Sequence, residues 1–306
     1  MCVKKTLLLI INTLAAYLRM IKFSHSVFAL PFAATAALLA ANGLPTALQI
    51  IWITAAMLCA RTSAMGMNRI IDRKIDLANP RTKNRELPSN IIKVRDALIL
   101  TIMSSIGLIF CAYMLNSLCF MLSPLALTVF FLYSYTKRFT WLSHIVLGTA
   151  IALAPIGAWI AINEGAQIIK IFPLALAVLF WLAGFDVLYA LMDLEFDKTY
   201  GLYSIAQTFG IKKAITIART FQSIKEGAFF LKEKEDEWTL LIITGKVFAL
   251  GAIYYFGIII VTGFLIYEHS IVSDKDLSKI NFAFFNMNGY ISITIFVFVL
   301  IEKVII

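Results

Sequence analysis

The first acidic residues of the chain lie in the segment GMNRIIDRKIDLANPRTKNRELP, at 66–88. Asn68, Asp72 and Asp76 follow one another at intervals of four residues. Because a helix turns about 100° per residue, these three side chains drift by only about 80° in total. They therefore form one polar stripe on a predicted helix.

A second group lies in the segment GFDVLYALMDLEFDKTYGLYSIAQTFG, at 184–210. On a helix, Asp186, Asp193 and Asp197 project within about 40° of one another. Tyr189 lies one turn along the same side, whereas Glu195 points the opposite way and is left out of the predicted site.

Two such stripes predict a metal site. Carboxylates on one face of a largely apolar helix repel one another and are costly near lipid unless a cation neutralises them. Oxygen ligands without His or Cys suit Mg²⁺, which completes its shell with water and phosphate oxygens. After the first stripe Pro80 ends the helix, and Arg81, Lys83 and Arg85 follow at alternate positions of a predicted extended loop. Because such basic groups bind phosphate oxygens, the pattern indicates metal-bridged diphosphate binding.

The composition indicates which elements must position these residues. Hydrophobic residues make up 60% of the 306 residues and charged residues only 15%, with a mean hydropathy of +0.85. A soluble domain carries about a quarter charged residues, so most of this chain must be covered by lipid. Apolar runs without blocks of alternating polarity predict helices rather than a β-barrel.

Apolar windows of about 20 residues, the length that crosses a bilayer, predict an all-α membrane protein with eight or nine transmembrane helices. The segment 239–267 leaves the count open, because it holds one long span or two short ones around Lys246. No soluble linker separates the halves, so we predict a single domain over 1–306. The other windows are 24–44, 47–66, 97–115, 118–135, 143–163, 169–191 and 282–301.

The net charge of +9 comes from basic residues gathered at the N-terminus and in three loops, which argues against a nucleic-acid partner. Loops such as 42–46 and 114–118 carry no charge. This alternation follows the positive-inside rule and places the basic segments in the cytoplasm. By the same rule, Arg69, Arg73 and Lys74 are expected to be topology signals rather than ligands.

Residues 1–22 have two lysines before an apolar run, as a secretory leader does, but the run is short and lacks a clear cleavage motif. We expect an uncleaved helix at the membrane interface, with a leader as the alternative. The four cysteines show no metal-binding spacing and are expected to be buried apolar residues. His25 and His144 are expected to be satisfied interfacial residues, and His269 a structural one.

These segments resemble the UbiA-type intramembrane prenyltransferases, most closely the 4-hydroxybenzoate polyprenyltransferase branch. Besides the two acidic motifs, the resemblance rests on IKFSHSVFALPFA, YSYTKRFT and YEHSIVSDKDLSKINFAFFNMNGYIS. It implies nine transmembrane helices around a central cavity, capped on the cytoplasmic side by the two motif loops. It also implies a multi-pass protein of the bacterial inner membrane.

The resemblance implies roles for individual residues. Those implied to bind one Mg²⁺ are Asn68, Asp72 and Asp76, and those implied to bind the other are Asp193 and Asp197. Arg81 and Lys83 are implied to hold the diphosphate. Tyr133, Lys137 and Arg138 match a Tyr-x3-Lys-Arg signature near the pocket, and Asp186 and Tyr189 match further positions of the family.

The implied reaction transfers a polyprenyl group from its diphosphate to an aromatic acid such as 4-hydroxybenzoate, in the biosynthesis of ubiquinone or menaquinone. Positive charge would stabilise the departing diphosphate, and the apolar cavity would keep the allylic cation from water. Arg138 is our candidate partner for the carboxylate of the acceptor.

One stretch departs from the family pattern. After IARTF the family continues into an apolar helix, whereas this chain reads QSIKEGAFFLKEKEDEWT, with every residue from Lys232 to Glu237 charged. Such a cluster must be solvated, so we predict a cytoplasmic insertion over 222–238.

Two alternatives stay open. The acceptor could instead be dihydroxynaphthoate, a chlorin, haem or a related aromatic precursor of quinones. From another class of function, the acids could line the cation path of a transporter, although such sites lie near the bilayer midplane at broken helices.

Overall fold

The computed structural model describes residues 2–226, 240–271, 280 and 286–305. Within them the chain is built from helices and turns and contains no strand, which confirms the predicted all-α class. The helices are α1 (Cys2–Met20), α2 (Ser26–Ala41), α3 (Ala47–Ala78), α4 (Val94–Leu115), α5 (Ser117–Thr136), α6 (Ser143–Asn163), α7 (Phe172–Ala190), α8 (Leu194–Tyr200), α9 (Ile205–Phe209), α10 (Ile211–Glu226), α11 (Leu240–Val247), α12 (Ala252–Ile271) and α13 (Asn288–Leu300).

Eight helical segments of this described part are long and apolar enough to cross a membrane. They begin with a segment that adds a short turn to α2 and end with one that extends α13. The eight are Phe23–Ala41, Ala47–Ala78, Val94–Leu115, Ser117–Thr136, Ser143–Asn163, Ile168–Tyr200, Ala252–Ile271 and Asn288–Ile305.

The segment around Lys246 forms one full span preceded by a short helix. Helix α11 ends at Val247, Ala249 adopts a left-handed conformation, and α12 begins at Ala252. Helices α10 and α11 both pack against α7. The predicted insertion begins inside α10, which continues to Glu226, and its remainder lies outside the described residues. A ninth spanning helix is compatible with this arrangement and stays a prediction.

Helix α3 and the continuous helical segment 168–200 are longer than a bilayer requires. Each has more than 30 residues, 32 and 33 respectively. At about 1.5 Å per residue each is about 48 Å long, against a hydrocarbon core of about 30 Å. The acidic motifs occupy the last turns of both helices, at what we call the site end of the bundle. Because both helices are longer than the hydrocarbon core is thick, the motifs at their ends lie near the membrane surface.

The helices that carry the site are held close together by small residues. A Cβ atom built on Gly148 of α6 would lie 2.4 Å from the backbone oxygen of Leu179 in α7. A Cβ atom on Gly184 of α7 would likewise lie 2.7 Å from the backbone oxygen of Ala218 in α10. Small residues of this kind let membrane helices approach closely enough to pack backbone against backbone.

Helix α1 lies against the site end. Ala16 and Met20 are buried and belong to a small core with Leu87 and Ile92. Apolar side chains on the opposite side of α1 are exposed, namely Ile11, Leu14 and Leu18. An exposed apolar stripe of this kind suits the predicted position at a membrane interface.

Candidate active site

Asp72 is the most heavily bonded carboxylate of the first motif. It is buried and accepts hydrogen bonds from Lys137 Nζ at 2.6 Å and from Arg138 Nη2 at 2.9 Å. Asn68 Nδ2 donates to the same carboxylate at 3.1 Å. The Tyr-x3-Lys-Arg segment at the end of α5 is therefore bound directly to the acidic stripe of α3.

Asp76, one turn further, is bound to residues of its own segment. Its Oδ1 accepts a hydrogen bond from Arg85 Nη1 at 2.7 Å, and its Oδ2 lies 3.7 Å from Arg69 Nη1. Oδ2 is buried and has no hydrogen-bond partner. Arg69 is itself buried and donates from Nε to the backbone oxygen of Met20 at the end of α1.

The loop after α3 differs from the extended loop that we predicted. The side chain of Asn79 accepts a hydrogen bond from the backbone N–H of Arg81, and the N–H of Lys83 bonds back to the backbone oxygen of Asn79. These bonds wind the segment into consecutive turns, because an Asn side chain replaces the backbone acceptor of a turn. Arg81 and Arg85, four residues apart, both line the site cavity, whereas the Lys83 side chain is exposed to solvent.

Asp193 of the second motif contacts this loop. Arg81 forms a bidentate ion pair with it, and Asn79 Nδ2 donates to it at 2.9 Å. Arg81 also donates to the hydroxyl of Tyr189 at 2.8 Å. Burial tends to lower the pKa of Arg81, but the hydrogen bonds and charge of Asp193 outweigh it and raise that pKa above its usual value. Arg81 therefore stays charged while joining the two motifs.

Asp186 is held by a histidine that the sequence assigned to no specific contact. His144 Nδ1 lies 2.7 Å from Asp186 Oδ2, and His144 Nε2 accepts a hydrogen bond from the backbone N–H of Ile205 at 3.3 Å. Since Nε2 accepts, Nδ1 carries the proton and donates it to Asp186. His144 is thus a satisfied histidine, as expected, and it also fixes a carboxylate of the second motif.

Asp197 and Tyr133 lie near charged residues of the two motifs. The carboxylate of Asp197 lies within the electrostatic reach of Asp193 and of Lys137, which is ion-paired to Asp72. Tyr133 lies within electrostatic reach of Asp186 and of Asp72, one acid from each motif. Glu195 points away, is 86% exposed and bonds to Lys198. Apart from Lys83, the structure brings the predicted site residues together at one end of the bundle.

The carboxylate oxygens of the two motifs suit a magnesium ion whose remaining ligands come from a phosphate. Among the described residues, no three acidic, His or Cys side chains stand close enough to enclose a metal by themselves. The carboxylates of Asp72, Asp76 and Asp193 instead face basic groups. Mg²⁺ takes only one or two carboxylates and completes its shell with phosphate and water, and the buried Oδ2 of Asp76 is a carboxylate oxygen without a donor.

A cavity of about 580 Å³ lies between α1, the loop after α3 and Tyr189. Its charged lining is strongly positive, with one acidic residue, Glu86, against five basic ones: Arg19, Lys22, Arg69, Arg81 and Arg85. Burial, and then the charges of Arg69 and Arg85, lower the pKa of Lys22. A cavity that crowds cations in this way favours an anionic ligand.

Three basic residues of the lining had not been predicted as ligands: Arg19, Lys22 and Arg69. The sequence did contain a signal for Arg69, because it stands three residues before Asp72 and seven before Asp76, on the same side of the helix. We expected a topology signal there instead, and burial shows that the side chain faces the protein. Lys22 carried no comparable signal, since its position depends on how α1 docks.

Several known proteins are similar to this chain in sequence and in fold. It matches the model of the UbiA prenyltransferase family over residues 29–290. The 4-hydroxybenzoate octaprenyltransferase of Vibrio cholerae serotype O1 is 28% identical over 262 residues, covering 85% of this chain and 86% of that protein. The enzyme of the same name from Aliivibrio fischeri strain ES114 is 31% identical over 268 residues, with coverage of 85% and 86%.

Solved structures agree with the sequence comparison. The apo structure of a UbiA homolog from Aeropyrum pernix K1 has a TM-score of 0.79 and 28% identity, covering 91% of this chain and 98% of that one. A UbiA homolog from Archaeoglobus fulgidus bound to DMAPP and Mg²⁺ shares the fold, with a TM-score of 0.60, 21% identity and coverage of 91% and 98%.

The transporter alternative is therefore wrong, because the family match spans nearly all of the membrane-embedded chain and includes both acidic motifs. The relatives bear the name of an enzyme that transfers prenyl groups. The chain belongs to the UbiA prenyltransferase family and is a multi-pass membrane polyprenyltransferase.

Proposed function

We propose that this enzyme uses Mg²⁺ to transfer a polyprenyl group from its diphosphate to an aromatic acid of the 4-hydroxybenzoate type, in quinone biosynthesis. The observation that carries the proposal is the positive cavity at the end of the bundle where both acidic motifs lie. The names of the Vibrio and Aliivibrio relatives support the acceptor, and the ligands of the Archaeoglobus homolog support the donor and the metal.

The head group of the donor binds in the positive cavity. Arg81 and Arg85, from the loop after the first motif, and Lys22, from the segment after α1, all line this cavity. Asn68, Asp72 and Asp76 would hold one Mg²⁺, and Asp193 and Asp197 would hold the other. When bound, these ions would supply positive charge that stabilises the departing diphosphate. Lys137 and Arg138, which are ion-paired to Asp72, orient its carboxylate.

The transfer itself breaks the bond between the allylic carbon and the diphosphate oxygen and forms a bond to a ring carbon of the acceptor, which then loses its proton. Positive side chains placed before the reaction stabilise the charge that develops on the leaving oxygen. The ring must lie within about 3.5 Å of the allylic carbon. The apolar helices around the site exclude water that would otherwise capture the cation.

Product formation by the purified protein tests the proposal. Polyprenyl diphosphates with Mg²⁺ are incubated with 4-hydroxybenzoate, dihydroxynaphthoate or no acceptor, and products are identified by mass spectrometry. We expect a C-prenylated aromatic acid. If dihydroxynaphthoate alone is prenylated, the acceptor assignment moves to that acid; if no aromatic acid is prenylated, the proposal is wrong.

Two variants and a matched control assign the activity to the site. Asp72→Asn and Asp193→Asn keep the shape of the side chain but remove its charge, so each should reduce turnover by at least about 100-fold, the range found for loss of one charge-stabilising group. Glu195→Gln is the matched control. The carboxylate of Glu195 is exposed and lies two residues from Asp193 in the sequence, so this variant should retain wild-type turnover.

We also propose that the site end faces the cytoplasm of a bacterial inner membrane. The basic loops gather at that end, as the positive-inside rule requires of cytoplasmic loops.

A further inference from the structure

Asp186 differs from the other acids of the two motifs in the partner that holds it. Within the described residues it forms no ion pair with lysine or arginine, and its Oδ2 instead accepts a hydrogen bond from Nδ1 of the buried His144, at 2.7 Å. Three of the other acids each pair with at least one lysine or arginine, namely Asp72, Asp76 and Asp193.

The identity of this partner affects how readily the carboxylate takes up a proton. A cation beside a carboxylate stabilises its charged form and so opposes protonation. His144 donates from Nδ1 to Asp186 and accepts the backbone N–H of Ile205 at Nε2, so its ring is neutral. It therefore fixes the orientation of Asp186 without adding positive charge. Asp186 is better suited to accept a proton than the three acids that are paired with cations.

The free side of Asp186 faces space inside the site. Its side chain is 21% exposed, although every other residue from Trp181 to Leu188 is buried. Tyr133 of α5 lies within electrostatic reach of both Asp186 and Asp72, so Asp186 borders the space between the two motifs. No donor of the described part of the chain bonds to its Oδ1. One carboxylate oxygen is thus held by His144, and the other is open to a substrate.

The depth of Asp186 suits a substrate ring. Asp186 precedes Asp193 by seven residues, so the two share a helix face to within about 20° and Asp186 lies about 10 Å deeper in the bundle. We place the diphosphate at the level of Arg81, which is bound to Asp193. The prenyl chain leaves the diphosphate toward the apolar interior, and the acceptor ring must lie within about 3.5 Å of the allylic carbon. These constraints place the ring between the levels of Asp193 and Asp186.

We propose that Asp186, oriented by His144, accepts the proton that the aromatic ring loses, an inference that rests on the proposed function. The allylic carbon–oxygen bond breaks and its electron pair leaves with the diphosphate, while the ring carbon forms its bond to the allylic carbon. The electron pair of the ring carbon–hydrogen bond then returns to the ring as the proton passes to Oδ1 of Asp186. The neutral acid still accepts a hydrogen bond from His144, and it gives the proton to water when the products leave. His144 contacts neither substrate and is a positioning residue.

The test measures whether proton loss becomes slow when the pair is altered. The aromatic acid that the wild type prenylates is supplied with hydrogen or deuterium at the ring carbon that forms the new bond, and turnover is compared at saturating substrates. The wild type should show an isotope effect of about 1, because its proton acceptor acts quickly. Asp186→Asn still accepts the bond from His144 but takes up no proton. Its turnover should fall by about 100-fold or more, the contribution of a positioned base, and its isotope effect should exceed about 2.

Two variants of His144 separate positioning from folding. The amide of His144→Gln can donate to Asp186 and accept from the N–H of Ile205, so this variant should keep most of the turnover. His144→Leu loses both bonds and should show an isotope effect above about 2, as Asp186→Asn does. Asp193→Asn is the matched control on the same helix face. It slows the departure of diphosphate, so it should lower turnover while its isotope effect stays near about 1.

Three results overturn the inference. They are wild-type turnover in Asp186→Asn, reduced turnover in that variant without an isotope effect, and an isotope effect of the same size in Asp193→Asn. The second of these would make the departing diphosphate the proton acceptor. A His144→Gln enzyme as slow as His144→Leu overturns the positioning role of His144. A wild type that prenylates no aromatic acid overturns the proposed function itself.

Discussion

At the scale of residues, the helical period predicted which acids share a face but not which basic residues join them. Asp72 and Asp76 stand out because acids are rare in membrane helices, and Asn68 lies one turn before them on the same face. Arg61 and Arg69 satisfy the same period, with offsets of seven and three residues from the stripe. Basic residues also mark cytoplasmic loops, so their type does not separate ligands from topology signals. Burial and bonding make that distinction, and both depend on the tertiary structure.

The turns after α3 give two basic residues different surroundings, and this difference predicts different effects on donor binding. Arg85 lines the cavity and bonds to Asp76, whereas Lys83 is exposed. We expect Arg85→Met to raise KM for the prenyl diphosphate by about 10-fold or more, the effect of losing one charged hydrogen bond. Lys83→Met should change it by less than about 2-fold. Steady-state kinetics with varied donor would contradict the structure if Lys83→Met had the larger effect.

Metal removal gives a second prediction at this scale. If oxygen ligands of both motifs bind Mg²⁺ together with the diphosphate, chelation with EDTA should abolish turnover, and added Mg²⁺ should restore it. Ca²⁺, which prefers longer bonds and more ligands, should restore far less. Turnover that persists after exhaustive chelation would show that the basic residues act without a metal.

At the scale of elements, composition predicted the helices, whereas their contacts came from the structure. Apolar windows placed four of the spans to within three residues at both ends, because burial in lipid demands a fixed length. The window 239–267, in contrast, begins 13 residues before the span Ala252–Ile271. The windows did not show that α3 and the segment 168–200 extend beyond the membrane, since their ends are polar. The turns after α3 were missed as well, because they depend on one side-chain bond from Asn79.

Close packing of α6 on α7 predicts an effect on stability. Gly148→Ala would place a methyl group against backbone atoms of Leu179, and these cannot rotate aside as the end of a side chain could. We expect a loss of about 1–3 kcal/mol, the usual cost of overpacking. Gly157→Ala is the control on the same helix, because nothing lies within 4 Å of its added Cβ, and it should be neutral or slightly stabilising. Equal thermal unfolding of the two variants in detergent would contradict this packing.

At the scale of the whole molecule, the pattern of charged loops predicts an orientation that labelling can test. In a background without the native cysteines, Ser89→Cys lies at the site end, and Leu44→Cys lies in the loop before α3, at the opposite end. With the positive-inside rule, an impermeant maleimide should label Leu44→Cys in intact bacteria and Ser89→Cys only after the membrane is opened. The reverse pattern would place the site outside the cell.

The proximity of the two acidic motifs could be predicted from the family resemblance but not from residue spacing alone. Asp72 and Asp193 are separated by 121 positions, and helical periods carry no information about how two helices approach each other. The structure joins their segments through Arg81 and Asn79, which both bond to Asp193. Donor binding should consequently depend on both motifs at once.

Equilibrium binding of a labelled prenyl thiolodiphosphate, an unreactive donor analogue, measures whether donor binding depends on both motifs. Binding is measured with Mg²⁺ for wild type, Asp72→Asn, Asp193→Asn and the double variant. Residues that act in one site couple strongly, so each single change should remove most of the affinity and the double change should add little. Losses that simply add, or wild-type affinity in either single variant, would show that the two motifs do not share one diphosphate.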